Sequence, residues 1–266
     1  MSLTTVARLL PGADLIGWLA PLGRAARYFA LSLLCLPRRP YPWAEMRTIW
    51  LWMGPQSLHL VALAAVFVAI ALTMQCTLEL ERYQAQDLAG AVISLGLLRE
   101  MGPLTVSLAW CARVAALVAD QARFFSLQNP QGNDQQFAAS FIAPRYLAAL
   151  VMSVPLGAYG LLIGFITGAL VTPLLTLSTT AQFLQSSRET IQIKDLEVYF
   201  IKLILVNPTI AIFAGCAAGR LAAKDRHTNE IESPSRVSSV AARAVTAMFI
   251  CGFAGNLIVS LFFYLK

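Results

Sequence analysis

Charged residues are missing from three long stretches of this chain. No Asp, Glu, Lys or Arg occurs from Leu58 to Leu78, from Tyr146 to Ser187, or from Ala244 to Leu265. Roughly 20 apolar residues in a helix cover the hydrocarbon core of a bilayer, so each run is long enough to cross one. Two further apolar segments carry isolated charges. Leu88 to Ala119 is interrupted by Arg99 and Glu100, and Val198 to Gly219 holds Lys202 near its start and Asn207-Pro208 inside. The pattern predicts an all-α integral membrane protein with about five transmembrane helices, at about Leu58–Leu78, Leu88–Ala119, Tyr146–Leu170 (its end marked by Pro173), Val198–Gly219 and Val240–Leu265.

Between the spans the pattern predicts a short polar turn from Glu79 to Asp87, a polar stretch over 120–145, a Thr/Ser-rich loop from Thr176 to Ser187, and a polar loop from Leu221 to Ser239. Residues 1–50 form a separate N-terminal segment. Leu15, Trp18, Leu19, Leu22, Phe29 and Leu33 recur at helical spacing, but Arg24 and Arg27 interrupt the run and no small-residue cleavage site follows. This reads as a helix in the membrane interface, not a signal peptide. Pro37-Arg38-Arg39-Pro40 ends it, and Trp43, Trp50 and Trp52 suit a headgroup-level aromatic belt.

Composition agrees. The chain of 266 residues is 58% hydrophobic, and its mean hydropathy is +0.65; lipid solvates such a surface and water does not. The net charge of +6, from 20 basic and 14 acidic residues, reads as topology and contact with anionic lipid, not as nucleic-acid binding. With the N-terminus in the cytoplasm, the inner segments hold Arg8, Arg24, Arg27, Arg38, Arg39, Arg47, Arg123, Arg145, Arg220, Lys224, Arg226 and Arg236. The outer ones hold only Arg82, Arg188, Lys194 and Lys266, which places the C-terminus outside. Cys35, Cys76, Cys111, Cys216 and Cys251 are scattered without a CxxC pair, and His59 and His227 stand alone, so neither a disulfide framework nor a metal site is expected. HExxH and GxSxG are missing as well, which argues against an intramembrane enzyme.

Arg99-Glu100-Met101-Gly102-Pro103 is the segment with chemistry to explain. Charges inside an apolar helix are costly and are kept for a partner or a function. Neighbours on a helix point about 100° apart, so the two cannot neutralise each other face to face. Each needs water, a headgroup or another helix, while Gly102-Pro103 loosens the helix just beyond. On the third span Gly160, Gly164 and Gly168 share one face, suited to close helix packing within a subunit or between two.

The stretch from Asp87 to Pro103 resembles the permease subunits of Mla-type ABC lipid transporters, the MlaE/YrbE family. Matches continue in order through Ala112-Arg113-Val114 with Asp120 at the family's glutamate position, Ala143-Pro144-Arg145-Tyr146, Ala181-Gln182-Phe183-Leu184, Asp195 to Lys202, Gly215 to Gly219 and Arg243-Ala244-Val245. The resemblance covers roughly 45–265 and divides the chain into an N-terminal segment, 1–50, and a permease transmembrane domain, 51–266. It implies an ATP-driven phospholipid permease that pairs with a second permease subunit, a cytoplasmic ABC ATPase and an MCE-domain protein in a bacterial inner membrane. ATP and Mg would belong to the ATPase, with no cofactor in this chain. Arg99, Glu100 and Arg113 become candidates for lining the lipid path or pairing helices. Within 120–145, a cytoplasmic coupling segment toward the ATPase is implied, with Asp120, Arg123, Phe124, Phe125, Leu127 and Asp134 as candidate contacts. Its sequence, Ala122-Arg123-Phe124-Phe125-Ser126-Leu127, departs from the family's usual chemistry. That departure keeps open a second reading, a scaffold subunit that anchors an ATPase and an extracytoplasmic partner without a lipid path.

Overall fold

A computed structural model describes Gly23 and residues 27–34, 43–130, 132–176, 178–226 and 234–265. The described residues are almost all helical, with no strand among them, and five helical stretches are long and apolar enough to cross a membrane. Of the expected N-terminal interfacial helix only Gly23 and residues 27–34 fall among the described residues, and they are helical.

The first stretch begins with α1 (Trp43–Met53), which bridges the boundary expected at residue 50, and continues through a 3-10 turn at Pro55–Ser57 into α2 (Leu58–Arg82). The second runs α3 (Ala89–Gly96), a π turn (Leu97–Met101), α4 (Gly102–Val106), another π turn (Ser107–Cys111) and α5 (Ala112–Gln128). The third is α6 (Asp134–Phe137), a π turn (Ala138–Ile142) and α7 (Ala143–Leu175). A shorter helix, α8 (Thr180–Thr190), follows. The fourth stretch is α9 (Ile193–Phe200), a π turn (Ile201–Val206) and α10 (Asn207–Arg226), and the fifth is α11 (Pro234–Tyr264).

Three connections are more helical than the polarity pattern predicts. The stretch over 120–145 is helix except near 129–133, and 221–226 continues α10. The expected loop from Thr176 to Ser187 is mostly α8. Its helix starts because Thr179 and Gln182 form a reciprocal capping box, with Gln182 N donating to Thr179 Oγ1 (3.3 Å) and Thr179 N to Gln182 Oε1 (2.7 Å). Polarity identified exposure here, while the cap decided conformation.

The core is built on small residues. α10 packs along α5 and α11, α2 along α7, and α8 against α3. A Cβ at Gly215 would stand 2.7 Å from Ala115 O, and one at Gly219 only 2.2 Å from Ala119 O, so α5 and α10 meet nearly backbone to backbone. Ala115, Ala119, Ala122 and Cys216 complete this seam in full burial, with Trp110, Phe141 and Ile212 filling the space around it. Gly160, Gly164 and Gly168 are buried as well. Gly164 lies over Leu97, and Gly168 over Phe183, Ile93 and Thr73, so this face of α7 is spent on packing within the chain.

Candidate functional site

Arg99 and Glu100 sit on the π turn Leu97–Met101, and each meets a partner from a different helix. Arg99 Nε donates to Asp195 Oδ1 at 2.8 Å, and its guanidinium carbon stands 4.7 Å from the centre of the Tyr264 ring. The Asp195 carboxylate is buried, and it also accepts from Tyr264 Oη (3.1 Å) and from Gln192 N at the start of α9 (3.2 Å). Glu100 pairs with Lys202, whose Nζ lies 3.0 Å from Glu100 Oε1. The same ammonium donates to Arg99 O at 2.6 Å and contacts Ser260 Oγ at 2.5 Å, while Ser260 Oγ reaches Glu100 Oε1 at 2.5 Å.

The local sequence explains this arrangement. Pro103 has no N–H to offer the carbonyl four residues back, which is Arg99 O. A buried carbonyl left open is costly, and Lys202 Nζ fills it. A second π turn at Ile201–Val206 carries Lys202 on the facing helix. Such turns insert a residue and re-aim side chains, and they gather at functional positions. One helical turn further along, Asn207 Nδ2 donates to Pro103 O (3.3 Å) and Asn256 Nδ2 to Asn207 Oδ1 (2.7 Å). The buried Asn256 Oδ1 has no partner among the described residues.

Two layers of polar contacts therefore tie the second, fourth and fifth spans together at one level. Lys202 is completely buried, whereas the Arg99 and Glu100 side chains remain 38% and 43% exposed. The inner parts of these charges hold helices together, and their outer parts are not covered by this chain. Among the described residues no group of three or more His, Cys, Asp or Glu side chains could hold a metal ion.

Arg113 lies elsewhere. Its Nη1 donates to Trp52 O (3.2 Å) and to Ser57 Oγ, and its Nη2 to Gln56 Oε1 (3.3 Å), while Trp110 Nε1 donates to Met53 O (2.8 Å). Together these two side chains satisfy the open carbonyls at the end of α1, where the chain turns into α2. Arg113 is thus a helix-pairing residue at the elbow and does not join Arg99 and Glu100.

The candidate coupling residues divide by face. Asp120 and Phe124 are exposed at the end of α5, and Arg123 and Leu127 are half-buried. Phe125 turns inward, 5.8 Å from Phe137 and 5.3 Å from Phe141 between ring centres. Asp134 does not stand free as a contact: its Oδ1 accepts from Arg220 (2.7 Å) and its Oδ2 from Arg27 (3.1 Å).

Sequence reasoning noted Asp195, Lys202 and Asn207 but gave them no role, and it passed over Ser260, Tyr264 and Asn256. The signal for the first two was present. An Arg and a Glu in an apolar helix call for an acid and a base nearby, and Asp195 and Lys202 lie two helical turns apart on one apolar helix.

The family model described as "Permease MlaE" matches residues 47–121 and 136–262. A probable ABC transporter permease protein of Synechocystis sp. is 26% identical over 173 residues, 63% of this chain and 65% of that protein. The intermembrane phospholipid transport system permease protein MlaE of Haemophilus influenzae is 26% identical over 166 residues, 60% of this chain and 63% of that protein. A probable ABC transporter permease protein of Rickettsia typhi is 24% identical over 228 residues, 84% of this chain and 86% of that protein. The chain thus aligns with a little under two thirds of the length of the first two relatives.

Proposed function

The chain belongs to the MlaE permease family, as an integral membrane permease subunit of an ABC transporter, and from that premise we propose that its cargo is phospholipid. The observation that carries this reading is the polar level at Arg99 and Glu100, half-open within otherwise apolar helices. Acyl chains need an apolar cleft, and a phosphate needs a cation or donor beside it. Arg99 offers a guanidinium already oriented by Asp195 and Tyr264, so little conformational freedom is lost when a headgroup arrives.

In this reading two permease subunits pair around the lipid path, an ABC ATPase docks at the end formed by α5 and α6, and an MCE-domain protein exchanges lipid at the opposite end. The name of the Haemophilus influenzae relative, a phospholipid transport permease, supports the cargo. The basic residues support the orientation: Arg27, Arg123, Arg145, Arg220 and Lys224 gather at the end taken as cytoplasmic in a bacterial inner membrane. Exposed Asp120 and Phe124 are the coupling contacts best placed for the ATPase, with Arg123 and Leu127 beside them.

The experiment replaces Arg99 and Glu100 singly with alanine and follows lipid transfer in reconstituted complexes. Transfer falls at least tenfold while the subunits still co-purify. Unchanged transfer with intact assembly removes both residues from the mechanism. Photocrosslinking of lipid into the second span separates this reading from a scaffold, which would capture none.

A further inference from the structure

The end of the molecule that carries α5, α6 and α10 contains a cavity of about 70 Å³. Each buried water needs about 15 Å³ on this measure, so the space holds several waters or the oxygens of one phosphate group. Phe125 and Phe137 form its apolar wall, and Ser126, Asn129, Arg220 and Lys224 bring polar groups to it, with no acidic residue in the lining.

Two of the lining residues carry buried polar atoms that lack a hydrogen-bond partner among the described residues, Arg220 Nη1 and Ser126 Oγ. The Arg220 side chain is only 13% exposed. Its other terminal nitrogen, Nη2, is engaged by Asp134 Oδ1 at 2.7 Å and Gly132 O at 3.3 Å, and its guanidinium carbon stands 4.7 Å from the Phe137 ring centre. The orientation of Arg220 is therefore fixed while one of its donors is unused. Among the described side chains at this cavity the charge is unbalanced too. Asp134 is shared between Arg220 and Arg27, and Lys224 adds a further cation at the rim. Water could satisfy the orphan donors, but it would leave this excess positive charge uncompensated. A bound anion answers both requirements. Basic pockets between helix ends at headgroup depth also hold anionic lipid headgroups in other membrane proteins.

We propose that this cavity binds a phosphate group, with Arg220 and Lys224 as its cations and the Ser126 hydroxyl as a further donor. The site lies away from the Arg99–Glu100 level, and it stands whether or not the chain transports lipid. The phosphate belongs either to an anionic lipid headgroup or to a phosphate-bearing solute.

The full-length chain, purified with its associated subunits, is placed in nanodiscs of phosphatidylcholine with or without phosphatidylglycerol. Native mass spectrometry reads retained lipid, and thermal melting with inorganic phosphate reads the solute. Retained phosphatidylglycerol that falls about tenfold in Lys224→Gln supports a headgroup site; losing one charge-assisted hydrogen bond of about 1.5 kcal/mol has that effect. Stabilisation by inorganic phosphate in phosphatidylcholine alone, abolished by Lys224→Gln, supports a solute site. Arg220→Gln breaks the Asp134 ion pair as well, so Lys224→Gln and Ser126→Ala, which leave that pair intact, keep the test clean. The proposal is overturned if neither phosphatidylglycerol nor phosphate binds. It is equally overturned if binding is the same in all variants, or if Lys224→Gln only releases an associated subunit, which would make the cavity a seat for a protein side chain.

Discussion

Replacing Lys202 with methionine tests whether the intramembrane charges act as one unit. The ammonium is fully buried and makes three contacts, to Arg99 O, Glu100 Oε1 and Ser260 Oγ. Methionine keeps most of the volume but donates nothing. Arg99 O then loses its donor, and Pro103 cannot supply one. Glu100 loses its counter-charge but, being 43% exposed, recovers part of its solvation. Removing one partner of a buried pair costs about 3–5 kcal/mol, and that relief points to the lower end, about 3 kcal/mol. In the double variant Lys202→Met with Glu100→Gln no carboxylate is left uncompensated, so at least ~1 kcal/mol returns. The assay is equilibrium unfolding of the purified chain in mixed micelles with rising SDS, for wild type, both single variants and the double. A Lys202→Met cost below about 0.5 kcal/mol, the size of an ordinary surface substitution, or a double variant no more stable than Lys202→Met alone, would refute the reasoning.

Further outcomes follow from the packing. Gly219→Ala drives a methyl against Ala119 O and should cost about 1–3 kcal/mol as overpacking, whereas Gly164→Ala meets Leu97 at an ordinary 3.6 Å and should be nearly neutral; parallel thermal melts in detergent compare them, and equal losses would contradict the seam. Arg113→Met should loosen the α1–α2 elbow, read as faster hydrogen exchange at Trp52 to Ser57, and unchanged exchange there would show that the elbow holds without it. Thr179→Ala removes half of the capping box and should cost about 1 kcal/mol, seen as fraying of the first turn of α8 while the spans keep their protection.

The bilayer-crossing architecture was legible in the sequence because lipid imposes a strict rule. Charges such as Glu79, Arg145 and Arg188 flank the spans, and their absence in between is visible without any alignment. Connections were less legible. The start of α8 depends on the pairing of Thr179 with Gln182, and a Thr/Ser-rich composition reads equally well as a loop. The stretch over 120–145 hid which of its aromatic residues packs inward, since Phe124 and Phe125 are the same residue type and only the helix phase sends one out and one in. At the polar level, Arg99 and Glu100 announced a need for partners. Which residues met it depended on two π turns, and these shift the register by a residue in a way that no hydrophobic period reveals.

The contact between α5 and α10 limits how the protein can flex. Where Gly215 and Gly219 lie against the carbonyls of Ala115 and Ala119, neither rod can slip lengthwise by a residue without driving a side chain into the opposing main chain. The pair moves as one plank, roughly 25 Å long at 1.5 Å per residue over α5. Bending is left to the π turns beyond the plank, Ser107–Cys111 and Leu97–Met101 ahead of α5 and Ile201–Val206 ahead of α10, and the last two of these carry the ionic residues.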